Sequence, residues 1–183
     1  MLYTRKGDGG TTKTFGCGGR VSKASAIAEA LGACDEINSF LGLAKVKSKE
    51  TDFKILNDSF EYITHWIQEG LFIVQAELAG AEMTVTEDRV KKVEEYTDTA
   101  EKILPPIKTF FISGGTELGA TFDVCRTMIR RAERRVIAVC DVGEGKVGEF
   151  TKAYLNRLSS LLYAMARLTN HLSGIKERAP EYK

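Results

Sequence analysis

Apolar residues recur at three- and four-residue spacing along most of this chain, the period of a helix with one buried face. Ile27, Leu31, Cys34, Asn38, Leu41 and Lys45 predict a first helix from about Ser25 to Lys45, with one amide inside its core face. Phe53, Leu56, Phe60, Ile63, Ile67, Leu71, Val74 and Leu78 form a single stripe, so a longer second helix is predicted over roughly Asp52 to Ala81. Thr86 followed by acidic residues has the form of an N-cap. The third helix that it opens is closed by Pro105 and Pro106, because proline cannot continue the helical ladder. Leu118, Phe122, Cys125, Ile129, Ala132 and Val136 mark a fourth helix, about Glu117 to Cys140, which the turn "DVGEGKVG" ends. Tyr154, Leu158, Leu161, Leu162, Met165 and Leu172 mark a fifth, about Glu149 to Leu172. Residues 1–22, rich in Gly, Thr and Lys, lack this period and read as a loop, ordered in itself or by a ligand, rather than a strand-led unit. No internal repeat or low-complexity tract interrupts the pattern. The expectation is an all-α bundle of about five helices, one domain over 1–183 with an N-terminal loop segment (1–22) and a helical bundle (23–183).

Composition narrows the possible functions. With 183 residues, 43% of them apolar, the chain is long enough to bury a substantial core. Lys plus Arg (26) almost cancels Asp plus Glu (25), so the protein-wide basic field that drives nonspecific nucleic-acid binding is missing and positive charge must act locally. The cysteines Cys17, Cys34, Cys125 and Cys140 show no C-x-x-C spacing, and no signal peptide or apolar run of membrane length is seen. Free thiols in a reducing cytoplasm and no membrane partner are therefore expected. His65 and His171 form no H-E-x-x-H motif and read as structural, so no protein-built metal site is expected.

Against near-zero net charge, "RTMIRRAERR" (126–135) concentrates five arginines. Projected at roughly 100° per residue, Arg126, Arg130 and Arg134 run along one edge of the apolar stripe, while Arg131 and Arg135 point nearly the opposite way. Like charges at i, i+4 repel by roughly 0.2–0.5 kcal/mol per pair, so three in register require carboxylates or a bound anion. Asp123 and Glu133 lie within helical reach, and an ion-pair ladder is the commonest fate of such a run. Asp35, at the border of the first helix's apolar face, is a further carboxylate in need of a guanidinium, and Arg126 is its natural candidate.

A second signal is "YTRKGDGGTTKTFGCGGRVSK" (3–23), which interleaves glycines and threonine hydroxyls with Arg5, Lys6, Lys13 and Lys23. Glycines let successive backbone N–H groups converge on an anion and lysines neutralise it, so polyphosphate is the chemical match. No Walker A motif occurs, and no G-x-G-x-x-G follows a strand; a flexible tail is the alternative. On the fifth helix Asn156, Ser160, Tyr163, Arg167 and Asn170 form a second polar face, either an interface or ligand wall or a solvated surface.

Taken in order, "YTRKGDGGTT", "GACDEINSFLG", "FFISGGTELGATFDVCRTMIRRAERRV" and "YLNRLSSLLYAMARLTN" resemble the PduO-type ATP:cob(I)alamin adenosyltransferases essentially from end to end. The combination of T-x-x-G-D-x-G, R-x-x-x-R-R-A-E-R and N-R-L-S is specific, although each motif alone is weak. The chain departs from the family's usual F-I-L-P-G-G in lacking the proline of "FFISGG", and it carries a glycine at the variable place of the commoner G-D-x-G.

The resemblance implies a five-helix bundle, ferritin-like in architecture, assembled as a homotrimer with ATP and the corrinoid in clefts between subunits. It implies transfer of the 5′-deoxyadenosyl group of ATP to cob(I)alamin, reached from cob(II)alamin, with release of inorganic triphosphate. Carried over by motif, the ATP site comprises Thr4, Arg5, Lys6, Gly7, Thr12, Lys13 and Lys23 with Arg130, Arg131, Ala132, Glu133, Arg134 and Asn156. Arg130 and Mg²⁺ would stabilise the leaving triphosphate, and Asp35 and Arg126 match an intersubunit salt bridge. Phe110, with Phe111 a close second, matches the aromatic against the lower face of the corrin. Partners implied are an electron-donating reductase and an adenosylcobalamin-dependent enzyme that receives the product, with no nucleic acid. Two other classes remain open from the residues: a noncatalytic helical oligomer that uses its arginines for assembly, and a nucleic-acid binder. Neutral charge and the lack of aromatics among the arginines disfavour the latter.

Overall fold

A computed structural model describes residues 3–16 and 18–182 of the chain. Its helices are α1 (Ala26–Ser48), α2 (Phe60–Leu78), α3 (Glu87–Ile103), α4 (Glu117–Asp141) and α5 (Glu149–Leu172). Side-chain oxygens start four of them: Ser25, Ser59, Thr86 and Thr116 accept from the backbone N–H three residues on, satisfying a donor that the helix itself leaves open. Gly148 has no side chain with which to cap α5. Glu77 of α2 takes over, accepting from the Gly148 N–H at 2.6 Å and from the Thr151 hydroxyl, which sets a carboxylate at the positive end of the helix dipole.

Helix α4 packs between α1 and α5, with α2 against α1 and α3 against α5. One continuous core draws on all five helices. Phe60 and Phe122 meet edge to face at 5.9 Å, and the Trp66 ring lies edge-on to both Tyr96 and Tyr154 at 6.1 and 6.2 Å. The amide expected inside the α1 core face is buried and satisfied: Asn38 donates to the Gln68 carbonyl, and Gln68 returns a bond of 2.9 Å to the Asn38 carbonyl. The α1–α4 seam is antiparallel, with ion pairs Lys47–Glu117, Glu36–Arg131 and Glu29–Arg135 along it.

Two features depart from the expected elements. Helix α2 begins at Phe60, eight residues after the expected start at Asp52, because a hairpin of β3 (Lys54–Ile55) and β4 (Asp58–Ser59) precedes it. The turn between these strands, Leu56 and Asn57, holds Leu56 at φ 57°, a conformation usually given to glycine, so its first position carries no turn signal. Phe53 and Leu56 fell at helical spacing by coincidence: Phe53 meets the Phe60 ring at 5.9 Å from the strand side, and Leu56 is exposed. Residues 11–22 also pair, β1 (Thr11–Thr12) with β2 (Val21–Ser22), so a small antiparallel ladder replaces the expected plain loop. Leu172, expected in the core, is exposed at the last turn of α5, and Leu31 and Lys45 are half-buried.

Candidate active site

The arginine run divides by what each guanidinium finds. Arg131 and Arg135, on the other side of the helix from the edge arginines, reach α1 and pair with Glu36 and, at 3.3 Å, Glu29. Arg126 pairs along its own helix with Asp123 at 2.5 Å. Thus the intrachain Asp35–Arg126 pair is not made: Asp35 is exposed, with no ion pair among the described residues. Glu133, the other carboxylate within reach, accepts instead from the Asn156 amide of α5 at 3.1 Å. Arg130 and Arg134 remain exposed and without a carboxylate partner among the described residues. An ion-pair ladder therefore accounts for three of the five arginines and leaves two cations, one helical turn apart, beside the Glu133–Asn156 bond. Ala132 is fully buried, so its side chain packs in the core and any ligand contact of this stretch falls to its neighbours.

The N-terminal segment is built rather than loose. A turn closes on bonds from Asp8 N–H to the Arg5 carbonyl and from Gly10 N–H to the Gly7 carbonyl, and Lys23 N–H returns to the Gly10 carbonyl at 2.9 Å. Arg20 clamps Thr11, donating to its hydroxyl at 2.8 Å and its carbonyl at 2.6 Å. Gly16 N–H bonds the Ala79 carbonyl, docking the segment on the end of α2. Gly7 lies so close to Lys23 that a Cβ there would meet the ammonium at 3.2 Å. Thr12, Lys13 and Lys23, with Phe15, Leu31 and Phe72, line a cleft of about 600 Å³. Thr4, Arg5 and Lys6 are exposed at its approach in sequence, and Arg5 holds φ 58°. Cys17, within the same glycine-rich stretch, lies outside the described residues. Arg130, Arg134 and Asn156 line neither this cleft nor the larger cavity.

The larger cavity, about 1170 Å³, lies under the loop that joins α3 to α4. Its loop wall is fixed by Asn170, which is buried although it belongs to the polar face of α5: its carbonyl accepts from the Thr116 N–H at 2.9 Å and the Thr116 hydroxyl, and its amide donates to the Gly114 carbonyl at 2.8 Å. Gly115 runs so close that a Cβ would fall 2.6 Å from Asn170, and its φ of 108° is open only to glycine. This is the physical demand behind "SGG". Arg167, also on that polar face, is 5% exposed, so the face is internal here and not solvated. Asp123, Arg126, Tyr163 and Phe111 line the same cavity. Tyr163 stands between the Arg126 and Arg167 guanidiniums, 5.7 and 5.9 Å from its ring, and burial raises its hydroxyl pKa. Phe111 faces the cavity with Arg167 over its ring at 5.1 Å, whereas Phe110 is 79% exposed and turned outward. The C-terminal stretch that completes the cavity, including Glu177 and Arg178, carried no periodic signal and no motif, so sequence reasoning missed it. Among the described residues no three His, Cys, Asp or Glu side chains group as a metal site, and no helix is long and apolar enough to cross a membrane.

The described residues thus form a helical bundle with two arginines of α4 left without a carboxylate partner and, at its N-terminal segment, a cleft with Thr12, Lys13 and Lys23 on its wall. The family is fixed by the cobalamin adenosyltransferase model, which matches residues 2–169: this chain belongs to that family. The corrinoid adenosyltransferase of Bacillus subtilis is 38% identical over 179 residues, covering 95% of this chain and 89% of the relative. The corrinoid adenosyltransferase PduO of Citrobacter freundii is 34% identical over 170 residues; the chain spans only 50% of that relative's length. In structure the chain is similar to a variant PduO-type ATP:corrinoid adenosyltransferase from Lactobacillus reuteri complexed with cobalamin and ATP, with a TM-score of 0.87 at 26% identity over 100% of both chains.

Proposed function

We propose that this chain transfers the 5′-deoxyadenosyl group of ATP to cob(I)alamin, giving adenosylcobalamin and inorganic triphosphate. The observation that carries the reading is the division of the arginines: carboxylates neutralise three, while Arg130 and Arg134 have no carboxylate partner among the described residues of a chain of near-zero net charge. Exposed like charges in register repel, and a bound triphosphate relieves that repulsion. The ordered turn at Gly7 and Lys23 supplies the other half of the grip, with Thr4, Arg5, Lys6, Thr12 and Lys13.

Arg130 and Arg134 lie outside the cleft that Lys13 and Lys23 line, and in this reading a second copy completes the site. A homotrimer with the α4 cations of one subunit facing the N-terminal segment of the next meets the need. Phe40 and Leu43 on α1 and Val124 on α4 are exposed apolar residues on the antiparallel α1–α4 seam, near the unpaired Asp35, and supply a contact face. Asp35 then finds its guanidinium, Arg126, across the subunit boundary.

The chemistry needs no protein nucleophile, since Co(I) of the corrinoid substrate attacks C5′ of ATP and triphosphate leaves. The protein holds carbon and metal in line and stabilises charge that grows on the leaving group, with Arg130, Lys6 and Lys23 as fixed cations. Mg²⁺ would be held by the triphosphate oxygens and water, since the described residues offer no carboxylate cluster for it, and would supply further positive charge to the leaving group. The cavity beneath residues 111–115 takes the corrinoid, and Phe110, exposed beside that loop and without a ring contact among the described residues, is assigned by its motif to the lower corrin face. An electron-donating reductase supplies Co(I), an adenosylcobalamin-dependent enzyme takes the product, and the cytoplasm is the compartment. Incubating the protein with chemically reduced cobalamin and Mg-ATP tests the reading: the spectrum of adenosylcobalamin and stoichiometric triphosphate are expected. ATP binding without either product would leave only a nucleotide-binding scaffold.

A further inference from the structure

Arg167 makes a set of contacts unlike any other in the chain. Its Nε bonds both Glu177 carboxylate oxygens at 2.9 and 3.0 Å, and its Nη2 bonds one of them at 2.8 Å and the Pro105 carbonyl at 3.1 Å. Its flat face covers the Phe111 ring. One buried guanidinium thus ties together α5, the start of the α3–α4 loop, the loop's cavity-facing aromatic and the C-terminal tail. The next residue of the tail is tied as well, where the Ile112 N–H donates to the Arg178 carbonyl at 2.8 Å. Around this double tie the tail, from Gly174 to Ala179, lines the cavity.

Burying a guanidinium and a carboxylate costs desolvation that an apolar pair would avoid, so the pair is weak evidence for stability and better evidence for holding one arrangement among several. What it holds is a segment without helix that walls the cavity. We propose that Arg167 and Glu177 are positioning residues for the corrinoid: their ion pair fixes tail and loop in the register that shapes the cavity, without touching the triphosphate end of the reaction. The inference rests on the functional reading above and specifies which groups set corrinoid affinity.

The test uses the full chain with Glu177→Gln and Arg167→Lys, both of which preserve size and polarity. Losing a charge-assisted bond here predicts a rise of about tenfold in the KM for the corrinoid, with the KM for ATP unchanged. Trypsin cleavage after Lys176 and Arg178 should quicken in the variants, and the double variant should be no worse than the poorer single one, because both break one device. A corrinoid KM that stays at the wild-type value despite faster cleavage would overturn the proposal, since the tail would then be free without consequence. Parallel increases in both KM values, with a lowered melting temperature, would also overturn it and make the pair structural. A wild-type chain that neither turns over nor binds cobalamin sinks the functional reading itself, an outcome distinct from either.

Discussion

At the scale of single residues, equal charges and equal rings carry different work because their surroundings differ. Arg131 and Arg130 are adjacent, yet Arg131 is spent on Glu36 while Arg130 has no partner among the described residues. Replacing Arg130 by alanine should lower kcat/KM for adenosyl transfer by about 100-fold or more, the scale of losing one preorganised charge donor, while the melting temperature barely moves. Steady-state kinetics beside a thermal melt decides it, and unfolding in place of inactivation would make the residue structural. The phenylalanines offer a paired comparison. Phe110→Ala should impair turnover that starts from cob(II)alamin with a reductase more than turnover with preformed cob(I)alamin, since the role proposed for it is to favour reduction. Phe111→Ala, which removes the ring under Arg167, should instead raise the corrinoid KM in both assays. "FF" was legible as a candidate pair; the commitment of one ring to a guanidinium from α5 was not, since that contact joins residues 56 positions apart.

At the scale of elements, caps and turns decide where helices begin, and the sequence announced them unevenly. Thr86 and the paired prolines bounded α3 correctly, and Glu149–Leu172 matches the expected fifth helix residue for residue. The start of α2 was obscured because Phe53 and Leu56 continued the helical period into a hairpin whose turn lacks glycine. Thr116 shows how an element's end serves the site: its hydroxyl accepts from Gly119 N–H at 3.0 Å and meets Asn170, joining the start of α4 to the loop wall. Thr116→Ala should cost about 1 kcal/mol, read as a lower urea midpoint with an unchanged slope. A changed slope would mean that the loop rearranges instead.

At the scale of the whole molecule, burial sets the alkaline limit of the fold. Burial pushes the Cys34 thiol, with help from the Asp35 charge, and the Cys125 thiol from their ordinary 9.0 up to about 12, and it pushes the Tyr154 hydroxyl from 10.0 to about 12 against the opposing Arg89 charge. Each group stays protonated when folded at a pH where the unfolded chain has already released its proton. The stabilisation is complete below about pH 9 and is lost as pH rises toward 12, so denaturant midpoints should fall across that window. A flat profile from pH 8 to 11 would refute these shifts. Assembly belongs to the same scale: in the proposed trimer Asp35→Ala should shift sedimentation toward smaller species and reduce activity in step, while the isolated subunit keeps its helicity.

The chain by itself determined the five helices, their order and most of their faces, because a 3.6-residue apolar period, proline stops and hydroxyl caps are local physics. It also marked the arginine run and the glycine-rich segment as sites where charge would act. Only the tertiary structure decided which cations are free, because the carboxylates that neutralise Arg131 and Arg135 lie about a hundred residues away on α1. The closure of the large cavity was likewise a tertiary matter. Arg167 sits in the polar pattern of α5, but its partner Glu177 belongs to a tail without period, and a buried ion pair leaves no sign in the chain until folding brings its two halves out of water together.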